Sequence, residues 1–125
     1  MGIATEGKTQ ALIIDDEVDI CYLLKGILRH KNILADHVTN LADASLFLRD
    51  TAPPLIFLDN HLSDGLGMDY IRKIKKSHPL SKVIMITAHD TAHDREQAYK
   101  EGVDFFISKP FSREIILKTI EKIEF

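Results

Sequence analysis

The chain has 125 residues, of which 45% are hydrophobic and 28% are charged, a balance typical of one globular domain. Its formal net charge of −3 argues against a nucleic-acid-binding surface, because such surfaces are strongly basic. The single cysteine excludes an internal disulfide and favours a reducing cytoplasm, and no apolar run is long enough to span a membrane.

Short apolar segments alternate with helical patterns along the chain, after a small and polar tail at residues 1–8. Several of these segments are continuous in Leu, Ile, Val and Phe, which is typical of strands covered on both faces. The predicted strands are residues 10–14, 33–38, 55–58, 83–87 and 104–108.

Five helices are predicted between and after these strands, and several have clear boundary residues. Asn40 is a favourable N-cap, Pro79 ends the helix before it, and Gly102 is a typical residue just past a helix end. The helices are expected at residues 18–31, from Asn40 onward, at residues 68–77, at residues 92–101, and from about Ser112 to the end of the chain.

Alternating strands and helices predict the α/β class. Right-handed crossovers then give a parallel sheet with helices on both faces. We expect residues 9–125 to form one such doubly wound domain of five strands and five helices. The sequence contains no second segment that we interpret as an output domain.

Polar residues follow the predicted strands, at the point where each strand ends. The first strand is followed by Asp15 and Asp16, and the third by Asp59. The fourth strand ends at Thr87, and Lys109 follows the fifth. Ligands of such sheets bind outside the carboxyl ends of the strands, where the strand order reverses. Three carboxylates, a hydroxyl and an amine are therefore expected at one edge.

This set of side chains suits magnesium-dependent phosphoryl transfer. Clustered carboxylates are costly without a cation, and Mg²⁺ prefers oxygen ligands, so we assign Asp15 and Asp16 to metal binding. Asp59 stands alone on a central strand and is the better nucleophile for an aspartyl-phosphate. Thr87 can supply a hydroxyl donor and Lys109 a positive charge to the phosphoryl oxygens.

In this order and spacing, the residues resemble the receiver domains of two-component response regulators. The resemblance covers nearly the whole chain after the tail. The matching segments are IIDDE at residues 13–17, LIFLDNHLSDGLG at 55–67, VIMITAH at 83–89 and EGVDFFISKPF at 101–111.

The resemblance implies a role for each matching residue. Asp59 would be the phosphoacceptor and, with the backbone carbonyl of His61, would complete the Mg²⁺ ligands. Thr87 would be the switch hydroxyl that moves onto the phosphoryl group, and Phe106 the switch aromatic that then turns inward. Lys109 would pair with the phosphate.

The resemblance also implies the fold and the partners. The strand order would be the flavodoxin-like 2-1-3-4-5, and the Lys109–Pro110 peptide bond would be cis. The phosphoryl donor would be a sensor histidine kinase or a phosphotransfer protein, and the target an unknown downstream protein or output domain. The chain would be a cytoplasmic phosphoprotein that supports its own phosphorylation and dephosphorylation, not an enzyme, and would bind neither nucleic acid nor membrane.

Two other protein classes remain open from the residues alone. An aspartate-nucleophile phosphatase of the haloacid dehalogenase type would need Asp-x-Asp, whereas this chain has DNH at residues 59–61. A flavin or nucleotide binder on the same fold would need Gly, Ser or Thr after the first strand, where DDE at residues 15–17 would repel a phosphate.

Two histidines, His61 and His89, follow Asp59 and Thr87 by two positions. We expect their side chains to flank a phosphoryl group on its solvent side, where water must approach to hydrolyse it. The alternative interpretation is two solvated loop residues without a kinetic role.

Overall fold

Five parallel strands form one sheet and five helices cover it in the computed structural model, which describes residues 9–123 of the chain. The predicted tail at residues 1–8 lies outside the described residues. The five strands of this sheet are β1 (Ala11–Ile14), β2 (Ala35–Val38), β3 (Leu55–Leu58), β6 (Lys82–Thr87) and β7 (Phe105–Ser108). Two further short strands, β4 (His61–Leu62) and β5 (Gly65–Leu66), form a separate hairpin. The helices are α1 (Val18–Arg29), α2 (Leu41–Asp50), α3 (Gly67–Ser77), α4 (Ala92–Glu101) and α5 (Arg113–Glu121).

The main sheet has the strand order β2-β1-β3-β6-β7, which confirms the predicted 2-1-3-4-5 order of a doubly wound α/β fold. The order reverses at β1, between β2 and β3, so a cleft is expected at the carboxyl ends of β1 and β3. Across the range that the structure describes, no helix combines the length and apolarity that a membrane span requires.

The central strands are buried on both faces, as their continuous apolar sequences predict. Alternate residues of β1 and β3 face opposite sides of the sheet. One side packs on α1 and α5 and the other on α2, α3 and α4. Cys21 lies in the first of these cores, and burial raises the pKa of its thiol to about 11, so it is a packing residue.

The short antiparallel hairpin of β4 and β5 was not predicted from the sequence. Asp64 lies in the turn between these two strands. Its carboxylate accepts hydrogen bonds from the backbone N–H groups of Leu41 and Ala42 at 2.9 and 3.0 Å. These bonds lower the pKa of Asp64 and cap the start of α2. The hairpin is thereby tied to the neighbouring helix.

The strand at residues 55–58 and the helix at residues 92–101 have the predicted bounds, and the other predicted bounds differ by one or a few residues. The first helix ends at Arg29, two residues early, and the last ends at Glu121, within the described range. Gly102 adopts a left-handed conformation with φ 117°, which explains why α4 ends there. The Lys109–Pro110 bond is cis, as the resemblance implied.

Candidate functional site

The carboxyl edge of the sheet brings together the polar residues that follow the strands. Asp15 and Asp59 are buried, with 2% and 5% of their surfaces exposed, whereas Asp16 is exposed. Parallel pairing places the two buried carboxylates side by side, since the Asp59 N–H donates to the Ile14 carbonyl at 2.9 Å. Thr87 is buried at the end of β6, the next strand in the sheet.

Lys109 contacts three carboxylates at this edge. Its Nζ lies 2.7 Å from Glu17 Oε1, 2.9 Å from Asp15 Oδ2 and 3.6 Å from Asp59 Oδ1. Burial would lower the pKa of Lys109, but its hydrogen bonds to Glu17 and Asp15, together with the charges of Asp15 and Asp59, outweigh burial and raise that pKa above its ordinary value. The ammonium group is therefore charged at neutral pH and is the cation that the buried carboxylates share.

One lysine does not neutralise the cluster fully. Burial, and then the nearby charge of Asp15, raise the pKa of Asp59 to about 6, even though Lys109 acts in the opposite direction. Burial also raises the pKa of Asp15, although the Glu17 N–H and Lys109 stabilise its charged form. The folded protein thus has a free-energy cost at neutral pH that a further cation would reduce.

The acidic run after β1 offers a set of oxygen ligands for that cation. Carboxylate oxygens of Asp15, Asp16 and Glu17 lie within 4.8 Å of one another. A ligand set made only of carboxylates suits a hard divalent cation, so these residues could hold one. Glu17 was not assigned a role from the sequence, because its contact with Lys109 joins residues 92 positions apart.

Thr87 is fixed at the base of this cleft. Its Oγ1 accepts the backbone N–H of His89 at 3.2 Å, and the small Ala88 separates the two residues. Phe106 lies on the adjacent strand, paired across the sheet with Met85, and only 7% of its surface is exposed. The switch aromatic named from the sequence is therefore already buried in this structure.

A cleft of about 290 Å³ opens above these residues. The rings of His61 and His89 stand at its mouth, with their centroids 3.9 Å apart. Both side chains are exposed, as either interpretation of these two histidines expects. The cleft is lined by Asp16, Glu17, Asp59, His61, Thr87, Ala88, His89 and Lys109.

The loop after Asp59 is held against the start of α3. The Asn60 carbonyl accepts the Gly67 N–H at 2.7 Å, and its side-chain oxygen accepts the Met68 N–H at 2.8 Å. A Cβ atom at Gly67 would lie 2.3 Å from the Asp59 carbonyl oxygen, so only glycine permits this close approach. Neither Asn60 nor Gly67 was predicted from the sequence to be a positioning residue.

Comparison with known proteins gives one consistent family. The family model described as "Response regulator receiver domain" matches residues 11–121. The response regulator protein PilR of Pseudomonas aeruginosa is 35% identical over 103 residues, which are 82% of this chain and 23% of PilR. These matches support neither of the two other protein classes that the residues left open.

Solved structures agree with this family in fold. A two-component response regulator from Clostridium difficile aligns with a TM-score of 0.87 and 30% identity, covering 92% of this chain and 94% of that chain. The beryllofluoride-activated NtrC4 receiver domain dimer aligns with a TM-score of 0.85 and 36% identity, covering 90% of this chain and 93% of that one. The chain spans between 23% and 46% of the first curated relatives it matches.

Proposed function

Because the chain belongs to the response regulator receiver domain family, we propose that Asp59 accepts a phosphoryl group and so switches a partner-binding surface. A histidine kinase or phosphotransfer protein in the cytoplasm would donate it from phosphohistidine. An Asp59 oxygen bonds to phosphorus as the bond from phosphorus to the donor imidazole breaks. The single observation that carries the assignment is the burial of Asp59 beside Lys109, at the reversal point of the sheet.

Mg²⁺ is the cofactor that this proposal requires. Asp15 and Asp16 would hold the ion, together with the Asp59 carboxylate and the His61 backbone carbonyl. When bound, it would supply positive charge to the phosphoryl oxygens. The clustering of the Asp15 and Asp16 carboxylates and the raised pKa values of Asp15 and Asp59 support a cation at this place.

The protein side chains provide the rest of the chemistry. Lys109 would turn from Glu17 and Asp15 to the phosphoryl oxygens. Its ammonium group is already 3.6 Å from Asp59 Oδ1, so this movement would be short. Thr87 would give up its bond with the His89 N–H and donate its hydroxyl to the phosphoryl group. Phe106, whose ring is already buried here, would repack as Thr87 moves and so alter the surface that a downstream protein or output domain contacts.

Magnesium-dependent phosphorylation by a small phosphodonor tests this function. Incubated with acetyl phosphate and Mg²⁺, the wild type should take up one acid-labile phosphoryl group, and it should take up none in chelator. Asp16→Asn should raise the Mg²⁺ concentration for half-maximal uptake by about tenfold, since it removes one charged ligand.

Asp69→Asn is the matched control, because Asp69 is an exposed carboxylate on α3, away from the cleft. It should keep the wild-type Mg²⁺ dependence. Uptake that does not depend on Mg²⁺, or continuous release of phosphate from an added phosphate ester, would contradict the proposed function.

A further inference from the structure

Arg95, on the first turns of α4, covers the ring of Phe106. The guanidinium carbon lies 4.7 Å from the ring centroid. The ring is buried, whereas 43% of the Arg95 side chain is exposed, so the guanidinium separates this part of the ring from solvent. A guanidinium plane over an aromatic face is attractive, because the face of the ring carries negative charge density.

A carboxylate and a hydroxyl fix the guanidinium in this position. Arg95 Nη2 donates to Asp90 Oδ1 at 2.8 Å and lies 3.5 Å from Ser108 Oγ. The Ser108 hydroxyl donates to the other carboxylate oxygen of Asp90. The hydrogen bond from Ser108 has the largest effect on the pKa of Asp90, and together with the bond from Arg95 it lowers that pKa. The Asp90 carboxylate is therefore charged at neutral pH. We call Asp90, Arg95 and Ser108 the clasp.

The clasp joins the two segments that carry the switch residues. Asp90 lies three residues after Thr87, and Ser108 lies two residues after Phe106. Ser108 is also the residue paired with Thr87 across β6 and β7. A movement of either segment therefore changes the contacts between the clasp and the Phe106 ring.

We propose that Arg95 is a positioning residue, which holds Phe106 in its buried conformation and so sets the balance between the two states of the switch. Contacts made in only one position of the ring give that position a lower free energy, which is the requirement for shifting a two-state equilibrium. The proposal rests on the proposed function only in taking Phe106 as part of the switch. The holding of the ring itself is a property of the unphosphorylated protein.

A tryptophan reporter tests this directly, because the chain contains no tryptophan. In a Phe106→Trp background without Mg²⁺ or phosphodonor, Arg95→Gln should raise the solvent-exposed population of the indole about threefold to tenfold. The measurement is acrylamide quenching with the emission maximum. Arg95→Lys keeps the charge and should restore part of the protection.

Arg72→Gln is the matched control, since Arg72 also pairs with a carboxylate, at 3.0 Å from Glu101, but does not stack on Phe106. It should leave quenching unchanged. Should Phe106→Trp lower the melting temperature markedly, the ring signals of Phe106 in ¹³C-phenylalanine-labelled native chain give the same readout. Identical quenching and identical ring signals for the parent and Arg95→Gln would overturn the proposal. Neither measurement depends on phosphate uptake. A failure of the proposed function would therefore appear only in the phosphorylation experiment and would leave these two results unchanged.

Discussion

Asp59→Asn is expected to raise the free energy of unfolding of the metal-free protein by about 2 kcal/mol at about pH 7.5. Burial and the Asp15 charge raise the pKa of Asp59 to about 6, so keeping this group ionised in the folded state is costly. Asparagine fills nearly the same volume without the charge. The measurement is urea unfolding of wild type and variant in chelator.

The sign of this effect reverses the usual behaviour of a paired carboxylate. Asp59 ionises in the unfolded chain near its ordinary pKa of about 4, and in the folded protein only near the higher value. Between these values the folded state binds more protons, so the wild type loses stability as the pH rises, and the full penalty is present above about pH 6.

The gain from Asp59→Asn should therefore shrink as the pH falls and approach zero below about pH 3, where the wild-type carboxyl is protonated in both states. Asp69→Asn serves as the control and should change stability little at either pH, since that carboxylate is exposed. A variant less stable than wild type in chelator at neutral pH would show that the cluster does not repel as described.

Lys109→Met is expected to have the opposite effect, lowering the free energy of unfolding in chelator by about 3 kcal/mol. The ammonium contacts Asp15, Glu17 and Asp59, and its side chain is only 10% exposed, so its loss leaves two buried carboxylates without their shared cation. Saturating Mg²⁺ should restore part of the loss, because an ion that binds only the folded state stabilises it by mass action.

Lys118→Met provides the comparison for this effect. Lys118 is an exposed residue of α5, and its replacement by another good helix former should be nearly neutral. If Lys109→Met and Lys118→Met unfold at the same urea concentration, Lys109 does not stabilise the carboxylates in the folded protein.

The sheet and its polar edge could be predicted because both depend on local sequence. Continuous apolar runs identify buried strands, and the alternation with helices makes them parallel, which brings Asp15, Asp59 and Thr87 to one edge.

The features that were missed depend on contacts between distant residues. The hairpin strands β4 and β5 have two residues each, too few for a period to be visible. Nothing local joins Glu17 to Lys109, or Arg95 to Phe106, since each pair meets only after the sheet has formed. Gly67 offered a weak signal within its glycine-rich segment, but its close approach to Asp59 is visible only in three dimensions.

Locating the phosphoryl group on the chain is the most direct test of the switch. Protein incubated with acetyl phosphate and Mg²⁺ is treated with borohydride, which reduces an aspartyl-phosphate to homoserine, and is then mapped by peptide mass spectrometry. Wild type and Asp69→Asn should carry homoserine at position 59 only, and Asp59→Asn should take up no acid-labile phosphate. Modification at another carboxylate in the wild type, or wild-type uptake by Asp59→Asn, would contradict the assignment of Asp59 as the phosphoacceptor.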